Sequence, residues 1–173
     1  MNQTDTPVIT IDGPTGVGKG TVCRRLALQL GWHYLDSGVL YRVLAWLAGE
    51  NALGTGDYSK LLALFEEHVL AMSLDTETEA LTVHWDGQSI DSVLRSEACS
   101  KMSSELSSIP EVRAFMVDKQ RAFAQKPGLI TDGRDMGTVI FPNATHKIYL
   151  DGSAEERSQR RYKQLKLKGI DVK

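Results

Sequence analysis

Cysteine is scarce in this chain: there are two in 173 residues, Cys23 and Cys99, too few for a disulfide framework. That scarcity fits a reducing, cytoplasmic setting. Long apolar runs are absent too, none approaching the roughly 20 residues that cross a bilayer, and no basic, apolar leader opens the sequence. Neither sign of charge dominates. The 20 lysines and arginines stand against 22 aspartates and glutamates, a formal net charge of −2. The surface as a whole therefore attracts neither nucleic acid nor membrane lipid, and any polyanion site must be a local basic cluster. Repeats and low-complexity tracts are missing. What remains, with 42 % hydrophobic residues, is a globular chain able to bury one core plus an insertion.

Glycine, by contrast, is concentrated in the stretch Val8-Ile9-Thr10-Ile11-Asp12-Gly13-Pro14-Thr15-Gly16-Val17-Gly18-Lys19-Gly20-Thr21, which sets a turn between a strand-like apolar run and a helical pattern. Its spacing is G-x-x-x-x-G-K. Glycines let the backbone turn without a Cβ clash and bring successive N–H groups close to an anion, and the following helix adds its positive end. Lys19 supplies a point charge for the β and γ phosphates of a nucleotide. Gly20 follows Lys19 where Ser or Thr is usual, so the hydroxyl that would meet magnesium is displaced to Thr21. Val22, Leu26 and Leu30 are expected to form the apolar face of this helix, closed by Gly31. Cys23 reads as a small buried hydrophobe.

Strand and helix patterns then alternate, which argues for a parallel sheet covered by helices. Residues 33–35 predict a second strand ending at Asp36-Ser37-Gly38, followed by a helix through Val39, Leu40, Val43, Leu44 and Leu47 and another over 57–68. The period changes to two at Leu70, Met72, Leu74 and again at Leu81, Val83, Trp85, and Asp86-Gly87 signals a tight hairpin. A small antiparallel meander is expected there, with His84 on its solvent face and no ligand partner around it. Val112, Phe115, Met116, Lys119 and Phe123 predict a helix, 129–132 and 146–150 two more buried strands, and Ser153 with Glu156 a capping box on the last helix.

Two further constellations carry chemistry. Asp132-Gly133-Arg134-Asp135-Met136-Gly137 lies just past the carboxyl end of a strand, the edge at which open α/β sheets bind ligands. Asp132 there is suited either to hydrated Mg²⁺ or to capping a turn, and Arg134 with Asp135 either to a nucleotide or to a structural ion pair. In Asp36-Ser37-Gly38 with Tyr41-Arg42, Ser37 is expected to cap a helix, while Arg42 either clamps a phosphate or sits on the surface.

The motifs Gly13 to Thr21, Leu35 to Gly38 with Tyr41-Arg42, and Asp132 to Val139 together resemble the bacterial cytidylate kinases, over the chain from about Val8 to its last residue. The resemblance implies an α/β P-loop NTPase fold, a three-layer sandwich with a parallel sheet. Residues 1–38 and 110–173 would form the core, and 39–109 an inserted NMP-binding region holding the meander. It implies a monomeric kinase that transfers the γ-phosphate of ATP to CMP or dCMP in pyrimidine nucleotide metabolism. Gly13, Pro14, Thr15, Gly16, Val17, Gly18, Lys19, Gly20 and Thr21 would bind ATP, and Thr21 and Asp132 would serve Mg²⁺. Asp36, Ser37 and Arg42 would line the monophosphate site, Arg134 would hold the acceptor phosphate, and Ser104, Arg113 and Asp135 would read cytosine. Arg157 and Arg161, a turn apart, are placed to face the ATP phosphates, with Lys19, Arg42, Arg134 and Arg161 as the catalytic cations. The resemblance also implies that an arginine-rich lid and the last core elements follow the position of Lys173, so that these 173 residues alone would be a poor catalyst.

Two other readings stay open: a P-loop kinase of another small acceptor, such as shikimate or a different nucleotide, and a nucleotide-binding module without catalysis.

Overall fold

Alternating sheet faces organise the protein, as seen in a computed structural model that describes residues 6–167. The elements run β1 (Val8–Asp12), α1 (Lys19–Leu30), β2 (His33–Asp36), α2 (Ser37–Glu50), α3 (Tyr58–Glu66), β3 (Leu70–Leu74), β4 (Leu81–Trp85) and β5 (Gln88–Ser89). They continue with α4 (Asp91–Leu94), α5 (Glu97–Leu106), α6 (Pro110–Ala122), β6 (Leu129–Gly133), β7 (His146–Tyr149) and α7 (Ala154–Leu167). The main sheet is parallel, in the order β2-β6-β1-β7. Because successive side chains leave a strand on opposite faces, Ile9, Ile11, Tyr34 and Ile130 pack on Cys23 and Ala27 of α1. Val8, Leu35 and Leu129 point the other way, into a larger core built with α2, α5, α6 and β4. The result is the three-layer α/β sandwich of a P-loop protein.

Two expectations need correction. Val22 and Leu30 are 45 % and 43 % exposed, and α1 instead buries Cys23 and Ala27. Small side chains on that face let the helix lie close to the sheet, and larger ones would hold it off. Residues 146–149 do form a strand, but all four are exposed: among the described residues β7 ends the sheet and pairs with β1 alone.

The meander forms as β3-β4-β5, antiparallel throughout. Asp86 and Gly87 both take positive φ, 49° and 79°, the geometry of a two-residue hairpin turn. Trp85 anchors the meander, edge-on to Trp46 of α2 at 5.8 Å and Phe65 of α3 at 5.5 Å. His84 does lie on the meander's outer side, its Nε2 3.3 Å from the Ser73 hydroxyl. Among the described residues no helix is long and apolar enough to cross a membrane.

Candidate active site

Strands β1, β2 and β6 run parallel, so their carboxyl ends share one edge, and the turns leaving them carry the chemistry. After β1, the glycine-rich loop uses positive φ at Gly13, Gly16 and Gly18 (147°, 87° and 100°). A Cβ on Gly13 would collide with the Leu150 carbonyl oxygen. Lys19 folds back over this loop and donates from Nζ to the carbonyls of Gly13 at 2.9 Å and Pro14 at 3.0 Å. The ammonium is thereby held against the glycine-rich loop.

Helix α7 closes on the loop from the far side. Its capping box has both arms: Ser153 N donates to Glu156 Oε2 at 3.0 Å and Glu156 N to Ser153 Oγ at 3.1 Å. This aims Arg157 Nη1 at the Thr15 carbonyl, 3.4 Å away, and Arg160 Nη1 at the Val17 carbonyl, 2.5 Å away. Arg160 was not singled out in the sequence, where its spacing from the loop is invisible. The Arg161 side chain and residues 168–173 lie outside the described residues.

A cavity of about 360 Å³ opens beside the loop, and Asp36, Ser37, Arg42, Ser104, Arg113, Arg134 and Asp135 all line it, with Lys19 and Asp132. Arg42 is oriented by donating to the Leu94 carbonyl at 2.9 Å and Ser100 Oγ at 3.3 Å. Arg113 Nη2 pairs with Asp135 Oδ2 at 2.5 Å. Arg134 Nη2 donates to Thr15 Oγ1 at 3.3 Å, and Thr15 and Arg134 also line a second cleft with Gly13, Pro14, Tyr149 and Arg157. Two adjoining spaces therefore meet at one arginine.

Helix α5 and its C-cap residue Ser107 add Ser100, Ser103, Ser104 and Ser107 to the cavity wall, at the i, i+3, i+4, i+7 spacing of one helix face. Three of them donate their protons to backbone carbonyls one turn back: Ser100 to Ser96 at 3.0 Å, Ser103 to Ser100 at 2.9 Å and Ser107 to Ser104 at 2.8 Å. The Ser104 hydroxyl has no hydrogen-bond partner among the described residues, so there its proton alone of the four is uncommitted. Ser100, Ser103, Ser107 and the buried Gln120 were not singled out by sequence reading. The hydroxyl stripe was the available signal for the serines.

One assignment shifts. Asp36, not Ser37, caps α2, its Oδ1 accepting from Gly38 N at 3.0 Å, and Ser37 is the first helical residue. Thr21 is exposed and is not among the residues that line the cavity with Asp132.

Asp36 and Asp132 lie opposite each other in the β2–β6 register, and Tyr34 donates its hydroxyl proton to Asp132 Oδ1 at 2.6 Å. Burial foremost, then the charge of Asp36, pushes the Asp132 carboxyl up to about 7, against the Tyr34 hydroxyl, Lys19 and Arg24. Burial raises Asp36 as well, opposed by the Gly38 N–H, Arg42, Lys19 and Arg24. The folded protein thus keeps a proton at Asp132 that the unfolded chain releases near pH 4. The stability this contributes is present at low pH and is lost as pH rises through about 7. The thermal midpoint without divalent cations is expected to fall between pH 5 and pH 8, and Asp132→Asn to flatten that slope. Equal slopes in the two proteins would refute the assignment.

When ionised, this pair offers oxygen ligands to a hard cation. Among the described residues no cluster of three or more His, Cys, Asp or Glu exists.

The family model described as Cytidylate kinase matches residues 9–173. A cytidylate kinase of Aeromonas salmonicida is 49 % identical over 166 residues, 96 % of this chain and 71 % of its own length. One from Shewanella frigidimarina is 47 % identical over 167 residues, 96 % and 73 % respectively, and one from Methylococcus capsulatus 47 % over 170 residues, 98 % and 75 %. With the phosphate loop, the Asp132 to Val139 turn and these matches in agreement, the chain belongs to the cytidylate kinase family.

Proposed function

We propose that this chain transfers the γ-phosphate of ATP to CMP or dCMP, giving ADP and CDP or dCDP in pyrimidine nucleotide metabolism. The observation that carries the reading is the single cavity in which Asp36, Ser37, Arg42, Ser104, Arg113, Arg134 and Asp135 surround a space that meets the phosphate loop at Thr15 and Arg134. In this reading the cavity is the acceptor site and the cleft beside Gly13 and Arg157 the donor site.

The acceptor needs no general base, because a phosphate monoester with a second pKa of about 6 is mostly dianionic at neutral pH. Catalysis then rests on alignment and on neutralising charge. Arg42, fixed by Leu94 and Ser100, clamps the acceptor phosphate. Arg134 stands between acceptor and loop, Lys19 faces the transferring group, and Arg157 and Arg161 serve the donor phosphates. Mg²⁺, when bound, supplies further positive charge at those phosphates. Asp132, with Asp36 opposite it in the strand register, would hold it through water, and Thr21 would offer its hydroxyl from the loop side. For the base, Asp135 accepts from the exocyclic amine of cytosine while Arg113 and Ser104 donate to its ring nitrogen and carbonyl. Uracil presents a carbonyl where cytosine has the amine, so a fixed carboxylate repels it. Residues 1–38 and 110–173 act in this reading as the core and 39–109 as the NMP-binding insertion, in a monomeric cytoplasmic enzyme without nucleic-acid or membrane partners.

Turnover of CMP, dCMP, UMP, AMP and shikimate with ATP tests the proposal. A clear preference for cytosine nucleotides is the expected result. Preference for another acceptor would refute the substrate assignment, and ATP binding by calorimetry without diphosphate formation, even for the intact gene product, would make the protein a binding module.

A further inference from the structure

Asp12, the last residue of β1, is buried, with 8 % of its surface exposed, and it was given no role by the motif that follows it. Its Oδ1 accepts from Met136 N and its Oδ2 from Gly137 N, both at 2.8 Å, across 124 and 125 residues of sequence. Its backbone is in register with Gly133 at the end of β6, and its carbonyl accepts from Leu150 N at 2.8 Å. Arg134 and Asp135 are therefore strung between two points held by the same residue: Gly133 by strand pairing and the amides of Met136 and Gly137 by the carboxylate. The turn lies so close to β1 that a Cβ on Gly137 would sit 2.6 Å from Thr10 Oγ1. Asp12 is bonded through the backbone to Gly13, the first residue of the phosphate loop.

We infer that Asp12 is a positioning residue for base selection: its carboxylate sets where Asp135 and Arg134 stand relative to the phosphate loop, and so sets cytosine preference without touching either nucleotide. The inference rests on the acceptor reading above. Arg134 and Asp135 sit on a turn, and a turn anchored at one end only could swing its side chains by more than the tolerance of a base-reading hydrogen bond. Asn is nearly the same shape as Asp but has one acceptor oxygen, so in Asp12→Asn an NH₂ group faces one of the two amides.

Asp12→Asn is compared with the unaltered protein by calorimetry with CMP, UMP and a non-hydrolysable ATP analogue. The expected result is about tenfold weaker CMP binding with the CMP-over-UMP preference narrowed, and analogue binding changed by less than about twofold. A lowered thermal midpoint with CMP affinity and preference intact would reduce Asp12 to a structural role and overturn the inference, as would equal losses for CMP and the analogue. If the unaltered protein itself shows no preference for CMP, the acceptor reading fails instead. Amide hydrogen exchange on the unaltered protein covers the case where the variant does not fold. Met136 and Gly137 amides are expected to be protected like those of β6, and exchange as fast as an exposed turn would overturn the clamp.

Discussion

Lys19→Ala is expected to lower CMP phosphorylation by roughly three orders of magnitude while leaving the fold intact. Among the described residues its ammonium bonds the carbonyls of Gly13 and Pro14 alone, both within the loop, so no core packing there depends on it. In the proposed mechanism it supplies a cation where charge builds up during transfer, a role in which preorganised charge has a large effect. The same charge opposes the rise of the Asp36 and Asp132 carboxyls. Its removal should therefore shift the pH-dependent loss of stability to higher pH, a second readout independent of turnover. Steady-state rates with saturating CMP and ATP, beside circular dichroism, check the first claim. A rate within about tenfold of the unaltered enzyme would mean that the phosphate loop is not the catalytic donor site.

Asp135→Ala is expected to cost about a hundredfold in the CMP-over-UMP ratio of kcat/KM. Asp135 pairs with Arg113 at 2.5 Å inside the acceptor cavity, so its truncation removes the acceptor for the cytosine amine and leaves the guanidinium free to swing. Asp135→Asn separates the two effects. It keeps the shape but offers an NH₂ group, which can meet the uracil carbonyl, and so it should improve UMP relative to CMP more than alanine does. The ATP KM should not move in either variant, because Asp135 does not line the donor cleft. Unchanged CMP affinity in the alanine variant would remove Asp135 from base recognition.

Most of the site could be read from the chain because its parts are local. The phosphate loop needs glycines at set intervals within nine residues, and the hairpin at Asp86-Gly87 and the capping box at Ser153 and Glu156 are likewise short-range geometries, all three formed as expected. Ser104 and Arg113 were different. Nothing in their immediate sequence announces a binding residue, and only resemblance pointed to them, yet they line the same cavity as Asp36 and Asp135. Where reading by pattern went astray, burial was the cause. The spacing of Val22, Leu26 and Leu30 describes a helix face, but which face is covered depends on how closely α1 approaches the sheet, and Cys23 and Ala27 permit that approach. Likewise residues 146–149 read as a buried strand, but their spacing does not say which strands the sheet sets beside them, and among the described residues β7 pairs with β1 alone.

The sequence by itself determined the chemistry: a glycine loop with Lys19, a strand-end Asp132 and a short run of Arg134 and Asp135, each defined by residue type and near spacing. Only the tertiary structure decided how these are held together. Parallel pairing of β1 with β6 brings Asp12 to the amides of Met136 and Gly137, pairing of β2 with β6 sets Asp36 against Asp132, and the packing of α7 brings Arg157 and Arg160 to the loop. The physical reason is that hydrogen bonds and charge coupling act over a few ångströms in space, and distance along the chain does not report which strands become neighbours.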